Sequence, residues 1–285
     1  MASITVVDTD SALQEFLTGI ENCKVKDVPP SLYFDLEGVR LGRNGTISII
    51  SVFIQPLNQV YLIDVFTLSE KAFLITNDKQ TSLKTILEAP SIPKVFFDVR
   101  NDSDAMCSHH GIRLQCVKDL QVMELAVRFG SQKYVAGLAK CIENHANLPP
   151  IELQKWKQIK ASVGQLWDPR RGGSYQVFNQ RPIRTDIIQY CAQDVTILPS
   201  LWNVYHQKLR QPQSGFWRCM VFYNVEKRIA ESQGPRYNPE AESKRYGWTK
   251  EYIEQERDSW NDDIMDGALQ GEAIIDKRWL TSDYY

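Results

Sequence analysis

Apolar runs broken by short polar turns predict strands and one helix in the first part of the chain. "ITVVD" predicts a short strand, and the amphipathic segment "ALQEFLTGI" predicts a helix that Asp10 or Ser11 can cap. "SLYFDLEG", "TISIISVFIQP" and "QVYLIDVF" are rich in β-branched and aromatic residues, which favour strands. Because the turn-like segments "GRNG" and "PLNQ" separate them, the three strands are expected to form an antiparallel meander.

From residue 82 onward the pattern changes to alternating helices and strands. "SLKTILEA" and "NDSDAMCSHHG" predict helices, the second ended by its glycine, while "KVFFDV" and "LQCVKDL" predict strands. Residues 120–145 and 183–209 also have helical patterns. Alternation of this kind indicates parallel strands joined by helices. The whole pattern therefore predicts an α/β domain with a mixed sheet flanked by helices.

The predicted domain covers residues 28–211, and the strand and helix of residues 1–27 belong to it. "QPQSG" near residue 211 indicates a linker, and the charge-rich residues 212–285 follow as a C-terminal extension. In this extension "TKEYIEQERDSW" predicts a helix, and the tail is expected to be ordered only in part. We therefore expect a helical or partly irregular extension after the α/β domain.

The composition narrows the possible functions. The 285 residues include 33 Lys and Arg and 35 Asp and Glu, so contact with nucleic acid would need a local basic patch. No apolar run approaches the ~20 residues of a membrane span, and the N-terminal sequence lacks a signal-peptide core, so no membrane partner is expected. The six scattered cysteines lack a C-x-x-C pair and predict reduced thiols in an intracellular protein.

Two carboxylates interrupt one of the most apolar predicted strands. Asp35 and Glu37 are two positions apart, and alternate residues of a strand point to the same face, so the two side chains should project side by side. Each charge raises the cost of ionising the other. A solvent-facing strand end explains the pair poorly, because apolar bulk surrounds it at Tyr33, Phe34 and Leu36.

Further acids follow later in the chain, each with a simpler explanation when taken alone. Asp102 and Asp104 follow the strand "KVFFDV", where Asn101 or Asp102 can cap the next helix. Tyr190 and Asp194 are four apart and share a helix face, a spacing expected about once by chance in this composition. Acids on a first strand, at a strand-to-helix junction and on a late helix can nevertheless converge in an α/β sheet. Clustered carboxylates repel unless cations bind them, and oxygen ligands suit Mg²⁺ or Mn²⁺.

The segments "FDLEG", "KVFFDVRNDSDAM" and "YCAQDV" resemble, in order, the three exonuclease motifs of the DEDD superfamily. A tyrosine four residues before the last aspartate is similar to the DEDDy branch, which includes RNase D and the Werner exonuclease domain. "DLEGVRLGRNGTISII" and "DVRNDSDAM" resemble the Egalitarian-like subgroup most closely. The resemblance covers about residues 28–209 and implies an RNase H-like fold.

The resemblance also implies a catalytic site that holds two divalent cations, Mg²⁺ or Mn²⁺. Its metal ligands would be Asp35, Glu37, Asp102 and Asp194. Tyr190 would complete the catalytic set by orienting the attacking water. A tyrosine of ordinary pKa, about 10, is a poor base at neutral pH, so metal must supply most of the activation of the water. The spacing from Lys94 favours Asp102 over its neighbour Asp104.

The implied activity is that of a metal-dependent 3′–5′ exonuclease. It would hydrolyse single-stranded nucleic acid, RNA and/or DNA, from a free 3′ end and release nucleoside 5′-monophosphates. The alternative is a catalytically weak or inactive nucleic-acid-binding adaptor on the same scaffold, because Egalitarian-like proteins include members that bind or scaffold. The presence of all four acids and the tyrosine favours catalysis. The sequence does not decide between RNA and DNA and indicates no protein partner.

Residues 154–184 are basic and aromatic and come directly before the helix with the last two motif residues. This stretch holds seven Lys and Arg side chains against a single acid, Asp168. Lys155, Arg170 and Arg171 could neutralise phosphates of an incoming strand, while Trp167 could stack on bases. The alternative is a solvated basic loop packed by its tryptophans. We expect a nucleic-acid-binding loop at the rim of the metal site.

Overall fold

The protein is described by a computed structural model over residues 2–23 and 28–269. Six strands in this part of the chain form one sheet. They are β1 (Ser3–Val7), β2 (Leu32–Glu37), β3 (Ile49–Ile54), β4 (Gln59–Asp64), β5 (Lys94–Phe96) and β6 (Val117–Asp119). Across the sheet the order is β1-β4-β3-β2-β5-β6, so β2 lies in the interior of the sheet.

The strand pairing is mixed, as the sequence predicts. β2, β3 and β4 form the antiparallel meander, while β1 pairs in parallel with β4, and β5 pairs in parallel with both β2 and β6. Antiparallel neighbours need only short turns, whereas the parallel ones require crossover connections, which here contain helices. Asp35 lies opposite Ser51 and Glu37 opposite Ile49, so both acids lie towards one end of an interior strand.

Helices cover the sheet and follow it in sequence. In the described residues they are α1 (Asp10–Asn22), α2 (Val65–Leu68), α3 (Lys71–Leu74), α4 (Leu83–Glu88), α5 (Arg100–His110), α6 (Leu120–Val127), α7 (Leu138–His145), α8 (Pro150–Trp167), α9 (Thr185–Leu209), α10 (Gly215–Gln233) and α11 (Lys250–Leu269). Helix α9 packs on β2, β3 and β4. Ile187, Cys191, Val195 and Leu198 are buried at helical spacing along α9. This packing fixes the helix with Tyr190 and Asp194 directly over the strand with the first two acids.

Helix ends agree with the predicted stop signal but not with the predicted cap of α1. Gly111 ends α5 in the left-handed conformation, at φ 63°, as expected for a glycine stop. The cap of α1 is Thr9, whose hydroxyl accepts a hydrogen bond from the Ala12 N–H at 3.2 Å. Asp10 and Ser11 are already helical residues, so the sequence prediction placed the cap one or two residues too late.

Two further segments differ from the sequence expectation. The predicted helical region 120–145 is two helices, α6 and α7, with an irregular connection between them. The first part of the predicted basic loop is helical, because residues 154–167 belong to α8. Pro150 occupies the first turn of α8, where its missing N–H costs nothing, and no further proline or early glycine interrupts the segment. Only the later part, through 184, has the turns and short 3₁₀ segments of a loop.

The C-terminal residues continue the packed structure. Residues 212–214 form a 3₁₀ turn between α9 and α10, and α10 packs against α5 and α6. Buried side chains along α10 include Phe216, Met220, Val225 and Ile229. The helix predicted from "TKEYIEQERDSW" is α11, and the tail 270–285 lies outside the described residues. No helix in the described ranges combines the length and apolar character that crossing a membrane requires.

Candidate active site

Three carboxylates from two elements meet above β2. Asp35 and Glu37 project from the same face of the strand, and Asp194 comes from α9, which lies across that face. One carboxylate oxygen from each of Asp35, Glu37 and Asp194 lies within 4.8 Å of the others. Phe34 and Leu36, which flank Asp35, are buried in the core, so the strand cannot turn the acids towards solvent without exposing apolar surface.

Asp102 lies in the first turn of α5, beside this three-acid cluster but outside it. Its side chain is buried, and burial together with the negative charge of Asp35 holds the pKa of Asp102 well above the usual range. The capping explanation does not apply, because the N-cap of α5 is Val99 and makes no side-chain capping bond. Asp102 is therefore a buried carboxylate within electrostatic reach of Asp35.

The neighbouring acid, Asp104, has a different environment. Its fully buried carboxylate forms an ion pair with Arg43, with 2.7 Å between Nε and Oδ1. The backbone N–H of Arg43 also donates to Oδ2 of Asp104 at 2.7 Å. Asp104 is thus neutralised by a structural partner, whereas no ion pair of Asp102 is found within residues 2–23 and 28–269. This difference favours Asp102 as the fourth acid of the site, in line with the spacing argument.

The clustered carboxylates resist ionisation. Burial, followed by the charge of Asp194, raises the pKa of Asp35 to about 7. Burial and the charge of Asp35 raise the pKa of Glu37 well above its usual range. Close negative charges in a desolvated site are unfavourable unless a cation compensates them. The donors are all carboxylate oxygens, which is the ligand chemistry that suits Mg²⁺ or Mn²⁺.

Sequence reasoning did not single out Lys160, which the structure places in the site. Its ammonium group donates to Oδ2 of Asp194 and lies 4.2 Å from the centroid of the Tyr190 ring. Burial opposes the charged form, but the carboxylates, with Asp194 foremost, raise the pKa of Lys160 above its usual value. Nothing in the local pattern distinguishes Lys160 from Lys155 and Lys157, since its partner lies 34 residues away.

The two oxygens of Asp194 have different environments. Oδ2 accepts the hydrogen bond from Lys160, whereas Oδ1 is buried and accepts none in the described part of the chain. Burial raises the pKa of Asp194 above its usual value, and the charge of Lys160 opposes this shift. The indole N–H of Trp156 likewise has no hydrogen-bond partner among the described atoms. A buried carboxylate oxygen without a partner is costly, and a cation held with Asp35 and Glu37 would satisfy it.

Tyr190 is the predicted catalytic tyrosine, and it lies in an aromatic environment. Only 4% of its surface is exposed. Its ring contacts those of Trp167 and Phe178, each with 6.5 Å between ring centroids. Burial, followed by the charge of Glu37, raises the pKa of Tyr190 well above its usual value. The phenol therefore stays protonated at neutral pH and can donate a hydrogen bond, but cannot by itself accept a proton as a base.

The basic stretch 154–184 is largely compensated by acids. At least six of its seven cations are in ion pairs: Lys157–Glu143, Lys160–Asp194, Arg170–Asp168, Arg171–Asp168, Arg181–Asp64 and Arg184–Asp186. Four of the five carboxylates lie outside the stretch. For this reason the charges within residues 154–184 alone overstate the positive electrostatic potential of this segment. Only Asp168 and Asp186 are close in sequence to the arginines they pair with.

The predicted nucleic-acid-binding residues lie on two elements near the site. Lys155 is an exposed residue of α8. Arg170 and Arg171 follow the end of this helix, and their guanidinium groups are mostly exposed although both pair with Asp168. Trp167 is half-buried, stacks on Tyr175 with 5.8 Å between centroids and contacts the ring of Tyr190. Their role in binding nucleic acid stays a prediction.

Comparison with known proteins decides the family. The sequence profile of the family described as 3′–5′ exonuclease matches residues 4–210, which is more than half of the chain. The chain belongs to the 3′–5′ exonuclease family. The match contains β2 with its two acids, the start of α5 with Asp102, and the part of α9 with Tyr190 and Asp194. The predicted superfamily, that of the DEDD-type exonucleases, is thereby confirmed.

Among curated proteins, this exonuclease-family chain is similar to the piRNA biogenesis protein EXD1 of Bombyx mori. The two are 24% identical over 170 residues, which are 58% of this chain and 46% of that protein. The match therefore spans less than half the length of the relative. Such a match supports the family assignment but does not transfer the function of the whole relative to this chain.

Solved exonuclease structures share the fold. Trypanosoma brucei RNase D in complex with RNA U12 gives a TM-score of 0.69 at 21% identity, covering 90% of this chain and 79% of that one. Brucella melitensis NrnC with bound Mg²⁺ gives a TM-score of 0.54 at 16% identity, covering 85% of this chain and all of that one. These similarities confirm the predicted mixed sheet flanked by helices, an RNase D-like exonuclease fold.

Proposed function

We propose that this protein is a metal-dependent 3′–5′ exonuclease that hydrolyses single-stranded nucleic acid and releases nucleoside 5′-monophosphates. One observation carries the proposal: Asp35, Glu37 and Asp194 bring carboxylate oxygens within 4.8 Å of one another, and Oδ1 of Asp194 is buried without a hydrogen-bond partner in the described part of the chain. A nucleic-acid-binding adaptor has no need for this arrangement, because binding does not require clustered, desolvated carboxylates.

The proposed metal ligands are the four acids of the motifs. Asp35, Glu37 and Asp194 would hold divalent cations directly, and Asp102 would contribute from α5. Two bound Mg²⁺ or Mn²⁺ ions would activate water and stabilise the charge that develops on the scissile phosphate. The tight three-acid group and the separate position of Asp102 fit a site with room for more than one ion.

Lys160 and Tyr190 have supporting roles in this proposal. Lys160 holds Oδ2 of Asp194 and leaves Oδ1 without a hydrogen-bond partner in the described part of the chain, so that Oδ1 would be available to a cation. Tyr190 keeps its proton because burial raises its pKa, and its hydroxyl would donate a hydrogen bond that orients the attacking water or the phosphate. The rings of Trp167 and Phe178 limit the positions that the Tyr190 ring can adopt.

The substrate would be a single strand with a free 3′ end. Arg170, Arg171, Lys155 and Trp167 are proposed to contact it, since the Arg170 and Arg171 guanidinium groups are exposed and Trp167 contacts Tyr190. RNA is the first substrate to test, because the structurally similar RNase D of Trypanosoma brucei was solved in complex with RNA. DNA should be tested beside RNA, because no contact in the described residues identifies a group that would bind the 2′-hydroxyl of RNA.

Purified protein incubated with labelled RNA and DNA, in Mg²⁺, Mn²⁺ or EDTA, tests this function. A 5′-labelled strand should shorten stepwise in Mg²⁺ or Mn²⁺ and stay intact in EDTA. A 3′-labelled strand should release the labelled nucleotide first. Asp35→Asn should be inactive, while Asp78→Asn, at an exposed acid away from the cluster, should retain activity. Tight strand binding without hydrolysis in either metal would contradict the exonuclease proposal and support the adaptor.

A further inference from the structure

A cavity outside the three-acid cluster is formed largely by the C-terminal residues. Its volume is about 860 Å³, and its walls come from the start of α5, from α6, α10 and the segment 234–249. Arg100 lines it and is two residues from Asp102. Neither the family match nor the proposed metal site accounts for this cavity, since α10 and the segment 234–249 lie beyond residue 210.

The walls of the cavity carry an excess of positive charge. The lining residues include five cations and a single acid, Glu231, the cations being Arg100, Lys227, Arg228, Arg236 and Lys244. Arg100 pairs with Asp98, and Arg228 pairs with Asp119. Lys227 and Arg236 pair with no carboxylate in residues 2–23 and 28–269. Lys244 forms no ion pair there either and donates to Asn101 and the Pro239 carbonyl. Three cations without acidic partners at one cavity favour an anionic ligand.

Aromatic rings form another part of the lining. Tyr246 is 52% exposed, and its ring packs on Tyr134 with 5.5 Å between centroids. Trp248 is held in place because it stacks on Trp217 and its indole N–H donates to Asn224 at 2.9 Å. Exposed aromatic faces next to cations form the combination that binds bases and phosphates of single-stranded nucleic acid.

The cavity is joined to the candidate active site through Asn101. Its Oδ1 accepts hydrogen bonds from the Tyr237 hydroxyl at 2.7 Å and from the Lys244 ammonium group at 2.6 Å. Both donors line the cavity, and Asn101 directly precedes Asp102. The charge of Lys244 also acts on Asp102, so the cavity lining lies within electrostatic reach of the proposed metal ligands.

We propose that this cavity binds the single-stranded substrate upstream of the nucleotide that is removed, with Lys227 and Arg236 on phosphates and Tyr246 against a base. The inference rests on the proposed exonuclease function. It assigns the C-terminal residues a role in holding the strand. It also predicts that substitutions in the cavity leave the hydrolysis of substrates too short to reach it unchanged.

Binding of labelled 12-nucleotide single strands in EDTA, at several salt concentrations, tests the charged part of the cavity. Lys227→Ala with Arg236→Ala should weaken binding at least about tenfold and reduce the log–log salt slope by about 1.4, as expected for two lost phosphate contacts. Hydrolysis of a dinucleotide in Mg²⁺ should stay within about twofold of the wild type. The matched control, Lys84→Ala with Arg113→Ala, removes two cations near the opposite end of β5 and β6 and should change neither measurement.

The aromatic part is tested with strands that contain or lack bases. Tyr246→Ala should weaken binding of the 12-nucleotide strand at least about fivefold and leave binding of an abasic strand of equal length unchanged. Tyr246→Phe, which keeps the ring, should behave as the wild type. If the wild type neither binds nor hydrolyses single strands, the proposed function itself fails. If the wild type does both, and the Lys227/Arg236 variant matches it or loses dinucleotide hydrolysis equally, the cavity is not a strand-binding site.

Discussion

Lys160 binds one oxygen of Asp194 and leaves the other oxygen buried without a hydrogen-bond partner in the described part of the chain. A carboxylate held in this way cannot offer both oxygens to one cation. The lysine also places a fixed positive charge beside Asp35 and Glu37, where it competes with any metal that binds. Lys160 therefore has two opposite effects on the site, one on geometry and one on charge.

Replacing Lys160 should separate these two effects. In Lys160→Met we expect Mn²⁺ to bind at least about tenfold more tightly, because a cation within a few ångströms of the acids is removed. Turnover should nevertheless fall at least about tenfold, because Asp194 is no longer held in one orientation. Titration calorimetry with Mn²⁺ and single-turnover hydrolysis measure the two effects. Lys160→Arg, which keeps the charge, should keep the weaker metal binding; unchanged Mn²⁺ affinity in Lys160→Met would contradict the charge argument.

The raised pKa of Asp35 predicts a dependence of stability on pH. Because the folded protein holds this proton up to about pH 7, well above the ordinary value of 3.8, stability in EDTA should be lost as the pH rises from about 4 through 7. Asp35→Asn does not titrate, so it should exceed the wild type by about 1–3 kcal/mol at pH 8 and differ little at pH 4. Urea denaturation at both pH values measures the difference. Asp78→Asn is the control, and a variant that is less stable than wild type at pH 8 would refute the assignment.

Tyr190→Phe tests the role of the hydroxyl without changing the packing of the ring. Since the phenol would orient the water or phosphate, kcat should fall about 10- to 100-fold while KM stays nearly constant. Tyr175→Phe, in the ring stacked on Trp167, is the matched control and should retain full activity. A rise in KM at constant kcat would assign the hydroxyl of Tyr190 to substrate binding instead.

The exposed arginines after α8 are expected to hold the strand near the metal site. Arg170→Ala with Arg171→Ala should weaken binding of long single strands and flatten its salt dependence, because phosphate contacts are lost. Hydrolysis of a dinucleotide should change far less. Asp168 is buried and would lose both partners, so the melting temperature must be recorded together with binding. Equal losses on long and dinucleotide substrates would show that the segment supports the fold or the site directly.

The buried ion pair between Arg43 and Asp104 predicts a large effect on stability. Arg43→Met leaves the carboxylate of Asp104 buried and unpaired and removes donors to the Ser232 and Gly234 carbonyls, so a loss of about 3–5 kcal/mol is expected. Arg40→Met breaks an ion pair with Glu240 whose side chains are 60% and 67% exposed, and should cost less than about 1 kcal/mol. Urea denaturation of both variants makes the comparison. Similar costs for the two would mean that Asp104 finds another partner.

The sequence predicted those parts of the fold that depend on local periodicity. The meander, the glycine stop of α5 and the helix with Tyr190 and Asp194 all follow from spacing that a short segment contains. The convergence of Asp35, Glu37 and Asp194 was predictable as well, because an interior strand and the helix packed on it can meet in few ways.

Contacts between distant charges could not be predicted in the same way. Lys160 is one of three similar lysines until Asp194 is placed beside it. The ion pair of Asp104 depends on Arg43, 61 residues earlier. Partner choice of this kind has no periodic signal, because one long side chain can reach many positions and only the assembled structure selects among them.

The hydrogen bonds that Asn101 accepts from Tyr237 and Lys244 span 136 and 143 residues. Synthesis on the ribosome proceeds from the N-terminus, so all four proposed metal ligands are made before either donor exists. During translation the hydrogen bonds to Asn101, next to Asp102, therefore cannot all form until Lys244 has been added and has left the exit tunnel. A chain released before Tyr237 would contain every residue of the exonuclease motifs and still lack the two contacts that hold the residue in front of Asp102.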